Sequence, residues 1–78
     1  MTEVVVDARG HRCPVPSLKL QKALERAAPG STVILLADDP LARIDVPHLI
    51  GSGPHALVSV DEVDGVLSFR VVTGARPG

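Results

Sequence analysis

The sequence predicts an α+β fold: a two-layer α/β sandwich of order β-α-β-α-β-β, with a four-stranded mixed sheet carrying two helices on one face. Three observations predict it. Two short runs rich in valine, isoleucine and leucine, Val4-Val5-Val6 and Val33-Ile34-Leu35-Leu36, are each followed by a proline-marked helix start. Two later alternating segments meet at Asp64-Gly65, a strong two-residue hairpin signal. A strand–helix–strand unit calls for parallel pairing through a crossover, whereas a tight hairpin must be antiparallel, so the sheet is mixed.

The elements follow in order. Residues 3–7 are β-branched at their centre and read as a strand. Arg9-Gly10 breaks the pattern, and Gly10 supplies a positive φ for a tight turn. Pro14 suits the first helical position, which sets Cys13 at or next to the N-cap and leaves Pro16 within the first turn. A helix over 17–27 follows, its inward stripe formed by Val15, Leu18, Leu20, Ala23, Leu24 and Ala27. Lys19, Lys22 and Arg26 fall together on its other face, and Pro29-Gly30 ends it. Residues 31–37 read as a strand, and their continuous apolar run Val33-Ile34-Leu35-Leu36 is expected of a central one. Asp39 is the expected N-cap of a second helix, with Pro40 at its first position and Leu41, Ile44, Leu49 and Ile50 facing inward. Pro47 predicts a kink there, or a break into two short turns. After a loop over 51–54, strands over 55–63 and 66–73 flank the hairpin turn, with Leu67, Phe69 and Val71 toward the core and Ser68 and Arg70 outward. Residues 74–78 have nothing to bury and read as a loose tail on a single domain spanning 1–78.

Composition narrows the classes. The chain has 78 residues and one aromatic, Phe69, so the core must be aliphatic. A single cysteine excludes an internal disulfide, and with it the secreted, disulfide-stapled class. No apolar run approaches the ~18 residues of a membrane span. No basic segment leads into an apolar stretch at the N-terminus, so no signal peptide is expected and a cytoplasmic location is the default. Net charge is −1 but uneven: residues 9–26 hold five basic residues against one acidic one, a net +4 around the cysteine and along the helix behind it. Such a field steers an anionic substrate or an acidic partner; its bland alternative is a solvated basic face.

The chemistry centres on Arg9-Gly10-His11-Arg12-Cys13-Pro14-Val15-Pro16. A thiol at a helix start meets backbone N–H groups without intrahelical partners and the positive end of the helix dipole. With Arg9 and Arg12 beside it, its pKa falls below the ordinary ~8.5, and Pro14 and Pro16 stiffen the turn. No second cysteine is present to resolve a disulfide. Hydrolysis would need a base that His11, two residues away, is poorly placed to provide and that His48 or His55 could provide only through the fold. Paired ligand spacing for a metal is missing, and no cofactor is called for. Carrier, regulatory thiol and buried inert residue remain open.

The run Asp7-Ala8-Arg9-Gly10-His11-Arg12-Cys13-Pro14-Val15-Pro16, with Ala37-Asp38-Asp39-Pro40, Asp45-Val46-Pro47 and His55-Ala56-Leu57-Val58, resembles the TusA/SirA sulfur-carrier family, whose mark is a CPxP motif opening the first helix. The resemblance extends to about Thr73. It implies the same two-layer fold and a sulfurtransferase acting as a carrier. Cys13 would accept sulfane sulfur as a persulfide from a cysteine desulfurase or rhodanese and hand it to an acceptor protein, in tRNA thiolation, sulfur oxidation or cofactor assembly. This chain departs from the family where Arg43 stands one residue early, Ile50 replaces a second cysteine, and Leu18 and Leu20 replace Met or aromatic residues. Those departures bear on partner choice.

Lys19, Lys22, Arg26, Asp38, Asp39 and Arg43 are the candidate partner-binding residues. The rival class is a non-catalytic module binding an acidic partner through its basic helix. Direct nucleic-acid binding is disfavoured, because no aromatic is available for base stacking once Phe69 is internal.

Overall fold

A computed structural model describes residues 3–12 and 15–74 of the chain. The order is β1 (Glu3–Asp7), α1 (Val15–Arg26), β2 (Thr32–Ala37), α2 (Ala42–Gly51), β3 (Ala56–Val63) and β4 (Val66–Val72). The four strands form one sheet in the order β1-β2-β4-β3. β1 runs parallel to β2, with Val4 beside Val33 and Val6 beside Leu35. β4 is antiparallel to both of its neighbours. The mixed four-stranded sheet with two helices is therefore the one expected, and β2 is internal, as its unbroken apolar run required.

Pairing register decides which residues share a face, because side chains alternate along each strand. Val33, Leu35 and Ala37 of β2 stand opposite Val71, Phe69 and Leu67 of β4, and all six are buried. Leu20 and Leu24 of α1 and Ala42, Val46 and Ile50 of α2 close over that face, with Ala8 completing the core. Ser68 and Arg70 point to the other face, where Arg70 forms an ion pair with Glu3 at 3.4 Å across β2. The hairpin turn has positive φ at both central residues, 52° at Asp64 and 80° at Gly65. That geometry matches the twist of the flanking strands. On β3 the register shifts between Leu57 and Ser59, leaving Val58 unpaired in a bulge.

Four expectations about the helices need correction. α1 starts at Val15, two residues before 17, and its buried stripe is Pro16, Leu20 and Leu24, with Ala23 and Ala27 half-buried. Val15 and Leu18 are exposed, because a helix that buries positions four apart from Pro16 turns residue 18 directly outward. α2 starts at Ala42 with Leu41 as its N-cap, not at Pro40 with Asp39 as cap. Asp39 still serves the start: its Oδ1 accepts the Leu41 N–H at 3.0 Å and its carbonyl accepts the Ala42 N–H at 3.0 Å, a tight preliminary turn. That later start phases the helix so that Ala42, Val46 and Ile50 face in and Leu41 and Ile44 face out. At Pro47, where a kink or a break was expected, the break does not occur: α2 continues through it as one helix. The tail expectation also changes at its first residue. Gly74 is half-buried, and its N–H donates to His55 Nδ1 at 3.2 Å. Positions 75–78 lie outside the described residues.

Candidate functional site

Because β1 and β2 are parallel, each of their helices begins at the same end of the sheet, and the two strand-to-helix loops lie side by side. The first loop leaves the sheet through Ala8, which is fully buried and whose N–H continues the ladder to Leu36 O at 2.8 Å. It then turns: the His11 N–H donates to Ala8 O at 3.3 Å across Gly10, whose φ is +82°. An L side chain at Gly10 would be strained by that φ even though no neighbour crowds it. Arg12 leads into Cys13 and Pro14, which lie outside the described residues, and the Val15 N–H donates back to Arg12 O at 2.9 Å. The chain is thus fastened on both sides of the cysteine. The expectations that Cys13 stands at the N-cap and Pro14 at the first helical position fall on those two residues. Pro16 sits in the first turn of α1 and is fully buried, anchoring that turn to the core.

The second loop reaches across to hold the first. Both carboxylate oxygens of Asp38 lie 3.0 Å from the Gly10 N–H, which donates to them. This contact spans twenty-eight positions of sequence. Asp38, a candidate partner-surface residue, thus also carries a loop-to-loop hydrogen bond. Together Gly10, His11, Arg12, Asp38, Asp39 and Pro40 wall a shallow hollow of about 260 Å³ beside the cysteine's position in the chain.

The charges divide into matched and unmatched. Asp7 accepts from Arg9 three times: from the backbone N–H at 3.1 Å, from Nε at 2.9 Å and from the terminal guanidinium nitrogen at 2.9 Å. The side-chain hydrogen bonds, then the backbone one, lower the Asp7 pKa to about 2, and the same carboxylate raises that of Arg9. Arg9 is therefore committed to Asp7. Arg43 is paired with Glu62 of β3, on the core-facing side of the sheet's far edge. Among the described residues, Arg12, Lys19, Lys22 and Arg26 form no ion pair and are exposed. The first turn of α1 carries no acidic side chain to occupy its N–H groups. Of the two arginines expected to favour a thiolate, Arg12 is thus the one without an ion pair among the described residues.

His11 and His48 are exposed, and His55 is half-buried with its Nδ1 occupied by Gly74. Among the described residues no group of three or more His, Cys, Asp or Glu side chains is arranged to hold a metal ion. No helix among them is long and apolar enough to cross a membrane. Sequence reasoning missed the Asp38–Gly10 contact and the Arg43–Glu62 pair, since both are consequences of strand register. The parallel alignment of residues 3–7 with 32–36 was the signal that could have placed Asp38 beside the first loop.

This arrangement defines a small two-layer α/β protein with its two strand-to-helix loops side by side at one end of the sheet. The same architecture occurs in a SirA-like protein from Desulfitobacterium hafniense, whose crystal structure superposes with a TM-score of 0.79 at 26% identity, covering 92% of this chain and 99% of that one. A sequence model of the family described as Sulfurtransferase TusA matches residues 4–73, and the chain belongs to the TusA family. A protein of Archaeoglobus fulgidus classed as a sulfur carrier protein is 40% identical over 67 residues, covering 85% of this chain and 87% of that protein.

Proposed function

We propose that this protein is a sulfur-relay carrier, a single domain of 1–78, in which Cys13 accepts sulfane sulfur from a donor protein and passes it to an acceptor protein. Membership of the TusA family supports the sulfur-relay role. The observation that carries the residue assignment is the loop between Arg12 and Val15: it holds the chain's only cysteine and is fastened at both flanks. Asp38 braces the same loop from the neighbouring one.

The chemistry follows from that placement. A thiolate is the nucleophile, and it is favoured by the unpartnered amides of a helix's first turn and by a nearby guanidinium. Arg12, which has no ion pair among the described residues, supplies the guanidinium; Arg9 acts indirectly, through Asp7, by shaping the loop. The Cys13 thiolate attacks the outer sulfur of a donor cysteine persulfide. The donor S–S bond breaks, a new S–S bond forms on Cys13, and the donor leaves as a thiolate; one sulfur moves and no net oxidation occurs. The reverse roles deliver the sulfur to an acceptor. A cysteine desulfurase or a rhodanese is a donor of the right chemistry, and a reducing cytoplasm is the compartment that keeps a lone thiol available for it.

Intact mass after incubation with a desulfurase and cysteine, or with a rhodanese and thiosulfate, tests this. An adduct of ~32 Da that disappears in Cys13→Ser is the expected result. A wild-type protein that gains no such adduct from either donor, while its thiol remains alkylatable, counts against the assignment. A simple binding module would instead tolerate Cys13→Ser and fail on charge reversal at Lys19 and Lys22.

A further inference from the structure

We propose that the proteins exchanging sulfur with Cys13 seat on an apolar patch made by Val15, Leu18, Leu41 and Ile44, and that their docking surfaces are apolar at the centre and acidic along the edge that meets the start of α1. This rests on the relay reading above and adds to it the surface and the kind of partner. The observation is one of position. Among the described residues, every large apolar side chain exposed on or just before a helix lies at a helix start. Val15 and Leu18 stand in the first turn of α1 and are 37% and 56% exposed; Leu41 and Ile44 begin α2 and are 55% and 68% exposed. The later parts of both helices have none, and the other exposed apolar residues, Val4, Val5, Val58, Val60 and Val63, belong to strands.

These two starts are neighbours. Parallel β1 and β2 deliver both helices to one end of the sheet, and the Asp38–Gly10 hydrogen bond at 3.0 Å joins the loops that lead into them. Pro40, adjacent to Leu41, shares the walls of the hollow with His11 and Arg12. Leu18 and Val15 line a broad open depression of about 400 Å³ together with Lys19 and Lys22. The patch therefore flanks the loop that carries the cysteine. Solvent-facing leucine and isoleucine are not needed for the core, which is filled by Leu20, Leu24, Val46 and Ile50.

Charge selects the occupant. Arg12, Lys19, Lys22 and Arg26 have no ion-pair partner among the described residues, whereas Arg9, Arg43 and Arg70 are matched by Asp7, Glu62 and Glu3. Arg12, Lys19 and Lys22 border the α1 half of the patch, whereas Arg26 stands in the last turn of that helix, Glu25 lines the same depression and Asp45 follows Ile44 in the first turn of α2. Cations along the α1 side are complementary to an acidic edge on a partner. A second copy of this chain would press the same cations against themselves, since a two-fold contact uses one patch twice. A nucleic acid would find no exposed aromatic, because Phe69 is fully buried.

The test compares two routes of loading on the full chain: protein donors (a desulfurase with cysteine, a rhodanese with thiosulfate) and inorganic polysulfide, which needs no docking. Leu18→Ser with Ile44→Ser should slow loading from a protein donor by about tenfold or more at subsaturating donor while polysulfide loading stays at the wild-type rate. Lys22→Glu should act in the same direction and weaken the dependence on salt. Val63→Ser, exposed on β3, serves as the control and should change nothing. Equal protein-donor rates for the double variant and wild type overturn the patch, as does an equal loss in Val63→Ser. Wild type that loads from polysulfide but from neither protein donor also overturns the patch. A wild type that fails even with polysulfide overturns the relay reading itself.

Discussion

The two ends of the sheet are built differently. At the end where β2 begins and β4 finishes, polar groups are buried and shared. The Thr73 hydroxyl donates to Ala28 O at 2.7 Å and accepts the Ser31 N–H at 2.9 Å, and the Thr73 N–H donates to Ser31 O at 2.9 Å. Ser31 and Thr73 are both buried. Gly74 packs so closely that a Cβ there would collide with the Pro54 carbonyl oxygen. At the opposite end, where the helices start, the hydrogen bonds of Asp7, Asp38 and Asp39 are exposed, and cations and apolar side chains face solvent. One end is closed for stability. The other is held in shape by solvent-exposed hydrogen bonds and leaves cations and apolar side chains facing water.

That contrast can be broken, most strongly at the closed end. Thr73→Val keeps the shape but removes the hydroxyl that serves the Ala28 carbonyl and the Ser31 N–H and carbonyl, and should cost about 1–3 kcal/mol in urea or thermal unfolding. Sulfur loading of the folded protein should be unchanged. Loss of loading at equal foldedness would erase the division between ends.

Next comes Asp39→Ala, which removes the acceptor for the Leu41 N–H and should cost on the order of 1 kcal/mol by the same unfolding measurement.

A smaller stability effect is expected from Asp38→Ala, below about 1 kcal/mol because the bond is exposed. Its signature is functional: slower loading and a shifted pH profile for Cys13 alkylation, partly restored in Asp38→Asn, whose amide oxygen can still accept the Gly10 N–H. A loading rate and alkylation profile identical to wild type in Asp38→Ala would show that the brace is decorative.

The least effect belongs to the Asp7–Arg9 pair. The Asp7 pKa is lowered from 3.8 to about 2 on folding, so its contribution is fully present above pH 3.8 and is lost as pH falls through about 2. Unfolding of wild type should weaken over that window more than that of Asp7→Asn, and added salt should shrink the difference because both groups are exposed.

Much of the fold was legible in the chain. The limits of β1 and the hairpin at Asp64-Gly65 follow from local chemistry: β-branched residues bounded by breakers, and two positions that tolerate positive φ. The inward set Leu67, Phe69 and Val71 follows from period-two alternation alone. Helix faces were read less well, because a one- or two-residue change in the start rotates the whole stripe. α2 carries apolar residues on nearly every face, so its own pattern could not choose between Leu41 with Ile44 and Ala42 with Val46. The candidate site was legible as a motif around Cys13, but its electrostatics were not. Arg9 and Arg12 are alike in sequence, and only the fold commits one to Asp7 and leaves the other without an ion pair among the described residues.

By itself, then, the amino-acid sequence determined the order of elements, the aliphatic core and the place of the one cysteine in the chain, two positions before α1. Local steric preference and hydrophobic periodicity need no information from distant residues. Only the tertiary structure decided which carboxylate braces the cysteine's loop, which cations stay unmatched, and that Leu18, Leu41 and Ile44 face water. Those depend on the parallel register of β1 with β2 and on the helical phase chosen by the shared core, and both are settled between residues far apart along the chain.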